Sequence, residues 1–201
     1  MAALALILFV VYMLAGFVLR TVLQLRRTGD SGFRGLSGTP GSARWWAGVL
    51  FAAALVAGLL GPVVALAGLD PIAVLDRDAV AIPGVVLAVA GIVAVVVTQA
   101  AMGTSWRIGV DPAETTGLVT TGPFAIVRNP FFTATAITGI GLALTVPNVV
   151  AIAGAVVLII ALHLQVRVVE EPYLLATHGN TYQHYAATTG RFLPNIGRLP
   201  S

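Results

Sequence analysis

The longest apolar stretch of the sequence constrains its fold more than any other feature. Residues 130 to 166 form a run of 37 residues without one charged side chain. As a single helix this run would reach about 55 Å, whereas the hydrocarbon core of a bilayer is about 30 Å thick. The run must therefore fold back on itself. Pro147 and Asn148 favour a turn near its middle, which predicts two helices joined as a tight hairpin.

Three further apolar segments precede this run, and composition indicates the solvent that surrounds them. Of the 201 residues, 58% are hydrophobic and 9% are charged, too few polar side chains to cover the surface of a soluble domain. We therefore predict an all-α integral membrane protein with about five transmembrane helices, forming a single membrane domain over residues 1–201. The predicted spans are about 2–19, 45–69, 79–102, 130–146 and 149–166.

The placement of arginine predicts how these spans are oriented. The loop from Arg20 to Arg44 contains five arginines and one acid, whereas the loop between the second and third spans contains three aspartates and one arginine. Because positive loops remain on the cytoplasmic side, we expect the N-terminus outside and the C-terminus in the cytoplasm. Segments 103–129 and 167–201 then share the cytoplasmic face, and they contain every glutamate. We expect an integral protein of the cell (inner) membrane whose site faces the cytoplasm.

The sequence gives little support for nucleotide hydrolysis, metal chemistry or a nucleic-acid partner. The chain has no cysteine, and its excess charge of +3 is small and scattered. It also lacks a glycine-rich phosphate loop and any paired spacing of metal ligands. The expected partners therefore include neither a nucleic acid nor a metal.

A first polar constellation lies just before the fourth span. A Gly122-Pro123 turn leads to Arg128, Asn129 and Pro130, and the proline suits the first turn of a helix. The free amides at such a helix start favour anionic or electron-rich groups, such as a carboxylate or a ribose. The alternative is an interfacial turn whose arginine reaches lipid phosphates.

A second constellation follows the last span. In an α-helix His163, Arg167, Glu170 and Glu171 would fall on one stripe. Such a stripe at the membrane boundary is costly unless its groups pair or hold a ligand. The alternative is a surface ion pair between Arg167 and Glu171, with His163 bonded to a neighbouring helix. A third cluster contains Arg107 beside an aromatic residue, and it suits either an interface anchor or a polar cavity.

Together these segments resemble the isoprenylcysteine carboxyl methyltransferase family, which is related to membrane phospholipid methyltransferases. The family pattern is Leu-x-Thr-x-Gly-Pro-Tyr, then Arg-His-Pro-x-Tyr, two helices, Glu-Glu-x-x-Leu, Phe-Gly, spaced tyrosines and a closing proline. The likeness covers about residues 102 to 194. The matching residues are Leu118, Thr120, Gly122, Pro123, Arg128, Pro130, Glu170, Glu171, Leu174, Gly179, Tyr182, Tyr185 and Pro194.

The sequence departs from the family pattern at five positions. Asn129 replaces the usual histidine, and Arg167 lies about one residue from the commonest spacing to the glutamate pair. Aromatic positions differ as well, at Phe124 and Phe132, where tyrosines are usual, and at His178, where phenylalanine is usual.

The resemblance implies an enzyme that uses S-adenosylmethionine and a lipophilic or small-molecule methyl acceptor, with membrane lipid as its surroundings. It implies that the glutamates offset the cofactor's positive charge while the Gly-Pro and Arg-Asn-Pro segments cradle its adenosine. The expected cofactor-binding residues are Leu118, Val119, Gly122, Pro123, Phe124, Arg128, Asn129, Pro130, Phe132, Glu170 and Glu171. The expected catalytic residues are Arg167, with Arg128 or Arg107 as alternates, to orient an anionic acceptor, and His163 to remove a proton.

Two other classes of protein remain open at this stage. Membrane sterol reductases have a similar C-terminal region but bind a nicotinamide cofactor. A non-catalytic scaffold or small transport component would use the charged boundary residues only to anchor the helices. Binding of each cofactor distinguishes these classes from a methyltransferase.

Overall fold

The computed structural model describes residues 1–31, 35, 38–103 and 117–200, and this part of the chain contains helices and no β-strand. Two π-helical turns interrupt the α-helices, Leu14–Leu19 within the first helix and Gln165–Glu170 near the C-terminus. The predicted all-α fold is confirmed. In chain order the helices are α1 (Ala2–Thr28), α2 (Ala43–Leu66), α3 (Asp78–Met102), α4 (Pro123–Ile126), α5 (Pro130–Thr145), α6 (Val149–Leu164) and α7 (Glu171–Thr188).

Helix length and composition agree with a membrane protein. Four helices of the described chain are long and apolar enough to cross a bilayer: α1, α2, α3 and the continuous helix Val149–Thr188 that contains α6 and α7. The fourth predicted span corresponds to α5, which is apolar but only 16 residues long. At 1.5 Å per residue it is about 24 Å long, slightly less than the thickness of a typical hydrocarbon core.

The turn between α5 and α6 forms where the sequence predicts it. Asn148 is fully buried, its side chain accepts from the amide of Ala151 at 2.9 Å, and it donates to the carbonyl of Gly61 at 2.8 Å. The carbonyl of Pro147 accepts from the amide of Ile72 at 2.8 Å. These bonds bring the hairpin turn beside the α2–α3 connection, at what we call the far end of the bundle.

The first helix extends beyond the predicted limit of its span. It continues through Arg20 and ends at Gly29, whose φ of 74° stops the helix. Arg20 and Gln24 are both buried, which explains why the helix does not end where the apolar residues end. The Arg20 guanidinium donates to the carbonyl of Gly103, so the part of α1 around Arg20 lies beside the end of α3.

Glycines set the distance between the two most closely packed helices, α3 and α5. A Cβ added at Gly141 would lie 2.3 Å from the amide nitrogen of Ala88 and 2.7 Å from the carbonyl oxygen of Gly84. Small residues of this kind let backbones approach closely in membranes, where packing supplies much of the association energy. Of the two hairpin helices, α5 thus packs mainly against α3 and α6 mainly against α2. Each of them packs less extensively against the other.

Replacing Gly141 with valine is expected to lower the free energy of unfolding by about 3 kcal/mol, the upper end of the usual cost of overpacking. The contacting atoms belong to the backbone of α3 and cannot rotate away. Thermal unfolding in detergent measures the effect. Ile140→Val is the control, because Ile140 is the residue before Gly141 on α5 and its side chain is 37% exposed. Equal melting temperatures for both variants would contradict the packing account.

Candidate functional site at one end of the bundle

The loop that precedes α5 is paired with the C-terminal segment of the chain. Gly122, with a φ of 60°, precedes the single turn α4, and Val127 returns the backbone to an extended conformation. Val127 forms an isolated parallel bridge with Gly190, and the amide of Arg128 donates to the Gly190 carbonyl at 2.8 Å. The two segments therefore lie side by side at the end of the bundle opposite the far end, which we call the site end.

Arg128 is the centre of this arrangement. It is 5% exposed, and one terminal nitrogen, Nη1, donates to the carbonyls of Ala186 and Thr189 at 2.7 and 2.6 Å. The other, Nη2, donates to Glu171 Oε1 at 2.7 Å and to the carbonyl of Gly197 at 2.9 Å. One side chain thus ties the loop before α5 to α7 and to the residues that follow it.

Glu171 lies between two arginines. Its Oε1 accepts from Arg128 Nη2 and from Arg191 Nε at 2.7 and 2.8 Å, and its Oε2 accepts from Arg191 Nη2 at 3.0 Å. Its side chain is 8% exposed. Both carboxylate oxygens are therefore engaged by the protein, and the predicted surface pair between Arg167 and Glu171 does not form.

The π-helical turn divides the predicted stripe of polar residues. The widened turn from Gln165 to Glu170 rotates later residues relative to earlier ones, because it contains more residues per turn than an α-helix. Glu171, which follows the turn, is consequently buried, whereas His163 before the turn and Arg167 within it are exposed. The prediction of a single stripe is wrong for this reason.

Glu170 differs from its neighbour in its partners. It is partly buried and interacts with the side chain of Gln165, but it forms no ion pair with a described residue. Arg167 likewise forms no ion pair within the part of the chain that the structure describes. The ring of His163 lies 6.3 Å from that of Phe192, which brings the end of α6 beside the C-terminal segment.

The predicted residues of the loop occupy different surroundings. Asn129 is buried, and its Nδ2 donates to the carbonyl of Arg191 at 3.1 Å. Phe124 is buried as well, and its carbonyl accepts from the Tyr185 hydroxyl at 2.5 Å. Phe132 is partly buried and packs against the cluster formed by α2 and α6. Pro123 and Pro130 each occupy the first turn of a helix.

Three residues before the Gly-Pro turn have open backbone groups. Leu118, Val119 and Thr120 are partly buried, and no hydrogen bond from another described residue reaches their amides or carbonyls. Arg107, the remaining predicted residue, is outside the described residues.

The sequence prediction missed Arg191, which contacts both Glu171 and Asn129. It also missed Gly190, where an added Cβ would lie 2.0 Å from the carbonyl oxygen of Leu193. The glycine beside Arg191, shortly before Pro194, was the available signal, since glycine and proline together after a helix indicate a turn. Within the described residues, no group of three His, Cys, Asp or Glu side chains is arranged to hold a metal.

These features define a class of protein, an apolar helical bundle with a buried Arg-Glu-Arg cluster at one of its two ends. The sequence model described as phospholipid methyltransferase matches residues 80–181, and the chain belongs to that family of isoprenylcysteine and phospholipid membrane methyltransferases. None of the curated proteins matches the chain. The resemblance inferred from the motifs is confirmed, and the chain is accordingly a membrane methyltransferase.

Proposed function

We propose that this protein transfers a methyl group from S-adenosylmethionine to a lipophilic or small-molecule acceptor at the membrane boundary. The observation that carries the proposal is the bond between Arg128 and Glu171, which joins the two motif segments at one end of the bundle. The family match supports methyl transfer, and family members generally use S-adenosylmethionine. Methyl transfer requires alignment and the exclusion of water more than acid or base strength.

The residues at the site end fit a cationic cofactor. When bound, S-adenosylmethionine supplies a methyl group activated by a positively charged sulfur. Glu170 is the carboxylate suited to this charge, because it is partly buried and forms no ion pair with a described residue. The open backbone groups of Leu118 to Thr120 can hydrogen-bond an adenosine. The proposed cofactor-binding residues are Leu118, Val119, Gly122, Pro123, Phe124, Arg128, Asn129, Pro130, Phe132, Glu170 and Glu171.

Within this set we assign different tasks to the two glutamates. Glu170 bonds or electrostatically stabilises the cationic groups of the cofactor. Glu171 and Arg128 shape the site, because their polar atoms are directed mainly at each other and at the backbone. They hold the loop before α5 against α7, which orients the proposed adenosine-binding segments and keeps water out.

The acceptor is assigned to the face of the helix that carries the exposed residues His163 and Arg167. Arg167 would orient a carboxylate or another anionic group, with Arg107 as the alternate, because both terminal nitrogens of Arg128 are already bonded to protein acceptors. His163 would accept a proton from a neutral acceptor such as a thiol or an amine. Because α6 is apolar along its length, a lipophilic acceptor can approach from the bilayer itself.

The proposed orientation puts the site end in the cytoplasm, because the loop from Arg20 to Arg44 is rich in arginine. The chain has no cysteine, so single cysteines report sidedness cleanly. In intact cells, a membrane-impermeant maleimide is expected to label Ala73→Cys and to leave Thr39→Cys unlabelled until the cells are opened. Both positions are exposed in loops. The reverse pattern would contradict the orientation while leaving the methyltransferase assignment intact.

The catalytic proposal is tested by methyl transfer from S-adenosylmethionine labelled at its methyl group. Purified protein in lipid vesicles is offered prenylated cysteine, simple thiols, phenols and aminolipids in separate reactions. Transfer of label to at least one acceptor is expected. Tight binding of a reduced nicotinamide cofactor, with no binding of S-adenosylmethionine, would instead favour a reductase. Binding of neither would favour a scaffold.

A further inference from the structure

The residues after α7 form a compact turn that is docked on the site end. We call Thr189–Leu199 the closing turn. The amide of Arg191 donates to the carbonyl of Ile196 at 2.7 Å, and the amide of Leu199 donates back to the carbonyl of Ala186 at 3.0 Å. Gly190 permits this fold, because a Cβ there would lie 2.0 Å from the carbonyl oxygen of Leu193. The closing turn therefore has a defined shape.

Arg191 connects the closing turn to both motif segments. Its guanidinium donates two hydrogen bonds to the Glu171 carboxylate, Nε to Oε1 at 2.8 Å and Nη2 to Oε2 at 3.0 Å. Its carbonyl accepts from the backbone amide and from the side-chain Nδ2 of Asn129, both at 3.1 Å. A planar guanidinium that binds a carboxylate in this way fixes its orientation, which the point charge of a lysine does not.

The burial of this cluster indicates that its geometry is tightly specified. The side chains of Arg128 and Glu171 are 1% and 8% exposed, and that of Arg191 is 14% exposed. Two guanidinium groups share one carboxylate, so the loss of either arginine would leave the carboxylate with fewer bonds than its burial requires. Arg128 reaches Glu171 through one nitrogen only. Arg191 makes both of the other bonds and therefore sets the rotation of the carboxylate.

We propose that Arg191 is a positioning residue for methyl transfer, and that the closing turn completes the cofactor site. Arg191 acts through Glu171 on Arg128, and through its carbonyl on Asn129, so that the loop before α5 and the start of α7 keep one relative geometry. The family match ends at residue 181 and does not include Arg191. The proposal rests on the proposed function, since it concerns the site that S-adenosylmethionine would occupy.

The loss of Arg191 should affect the cofactor more than the acceptor. With Arg191→Met, kcat/KM for S-adenosylmethionine is expected to fall about 100-fold, the effect of misplacing positioned groups by about 1 Å. The KM for the acceptor should change by less than about threefold, because His163 and Arg167, the exposed residues assigned to it, form no bond with Arg191 or Glu171 in the described chain. Arg191→Lys should recover only part of the loss, because lysine cannot make two parallel bonds. Arg198→Met is the matched control, since Arg198 lies in the same turn but, among the described residues, bonds only Asn195.

A double-mutant cycle tests whether Arg191 acts through Glu171. If it does, adding Arg191→Met to Glu171→Gln should lower kcat/KM by much less than the same change in the wild-type protein. Multiplicative effects would overturn the proposal, as would equal losses in Arg191→Met and Arg198→Met. Thermal unfolding in detergent accompanies each variant, and Arg191→Lys supplies the comparison if Arg191→Met does not fold. Absence of cofactor binding by the wild-type protein would overturn the proposed function itself, whereas wild-type binding with unchanged Arg191 variants would overturn only this inference.

Discussion

Replacing Arg128 with methionine is expected to abolish cofactor binding and to lower the free energy of unfolding by about 3–5 kcal/mol, the cost of breaking a buried ion pair by removing one partner. The variant keeps an unbranched side chain, shorter by two atoms, and removes donors to Glu171 and to three backbone carbonyls. Buried acceptors left without donors are expensive, and these acceptors belong to α7 and to the closing turn. Thermal unfolding in detergent and calorimetric titration with S-adenosylmethionine measure the two effects.

Arg77→Met is the control for this prediction. Arg77 is exposed at the far end, beside the start of α3, and should tolerate the same change with little loss of stability. Arg128→Lys adds a second comparison, because a lysine retains the charge but cannot satisfy four acceptors in a plane. Arg128→Met with wild-type stability and binding would mean that the segments around α4 and α7 are held together by other contacts.

Replacing Glu170 with glutamine is expected to weaken binding of S-adenosylmethionine by about 10- to 100-fold, since hydrogen bonds to charged groups contribute about 1.5–3 kcal/mol. The change preserves size and removes one negative charge. The free energy of unfolding should change little. Glu170 forms no ion pair with a described residue, so its loss leaves no described partner as an unpaired charge. Isothermal titration of the purified protein provides the dissociation constant.

The product S-adenosylhomocysteine makes the Glu170 experiment sharper, because its sulfur is uncharged. If Glu170 acts on the sulfonium, the variant should lose more affinity for S-adenosylmethionine than for S-adenosylhomocysteine. Equal losses would assign Glu170 to the amino group or to the ribose instead. Asp76→Asn is the control, since Asp76 is an exposed acid at the far end. Unchanged affinity in Glu170→Gln would remove this residue from the cofactor site.

The helices were predictable because the constraint behind them is local. A run of 37 apolar residues cannot cross a bilayer once, and Pro147 with Asn148 marks the turn that the structure contains. The boundaries were less predictable, since hydropathy ends α1 near Arg20 whereas burial of Arg20 and Gln24 keeps the helix intact for another two turns. Tertiary packing decided that boundary, and hydropathy does not report packing.

The sequence indicated which segments form the polar site, but not which of its residues bond each other. The order of the Gly-Pro, Arg-Asn-Pro and Glu-Glu motifs indicated which segments matter. It did not reveal that Glu171 is shared by two arginines, because the bond from Arg128 spans 43 residues of sequence. The π-helical turn was also hidden, since a periodicity of 3.6 residues assumes the regular helix that Gln165–Glu170 interrupts. That turn contains Arg167 and separates Glu171 from His163.

The division between buried and exposed polar residues gives the site a functional order. Arg128, Glu171 and Arg191 form a rigid support whose bonds are directed at each other and at backbone atoms. In the proposed cofactor site, Glu170 and the backbone of Leu118 to Thr120 supply the groups that contact the ligand. A site of this kind separates the residues that shape it from those that bind, which is a general route to a preorganised pocket.

Equilibrium binding of S-adenosylmethionine to the wild-type protein in detergent tests the central claim most directly. The claim is that the loop before α5 and the start of α7, linked by Arg128 and Glu171, form one cofactor site. We predict saturable binding of one equivalent, displaced by S-adenosylhomocysteine, abolished in Arg128→Met and weakened in Glu170→Gln. Absence of binding by a folded wild-type protein, or binding that neither substitution alters, would contradict it.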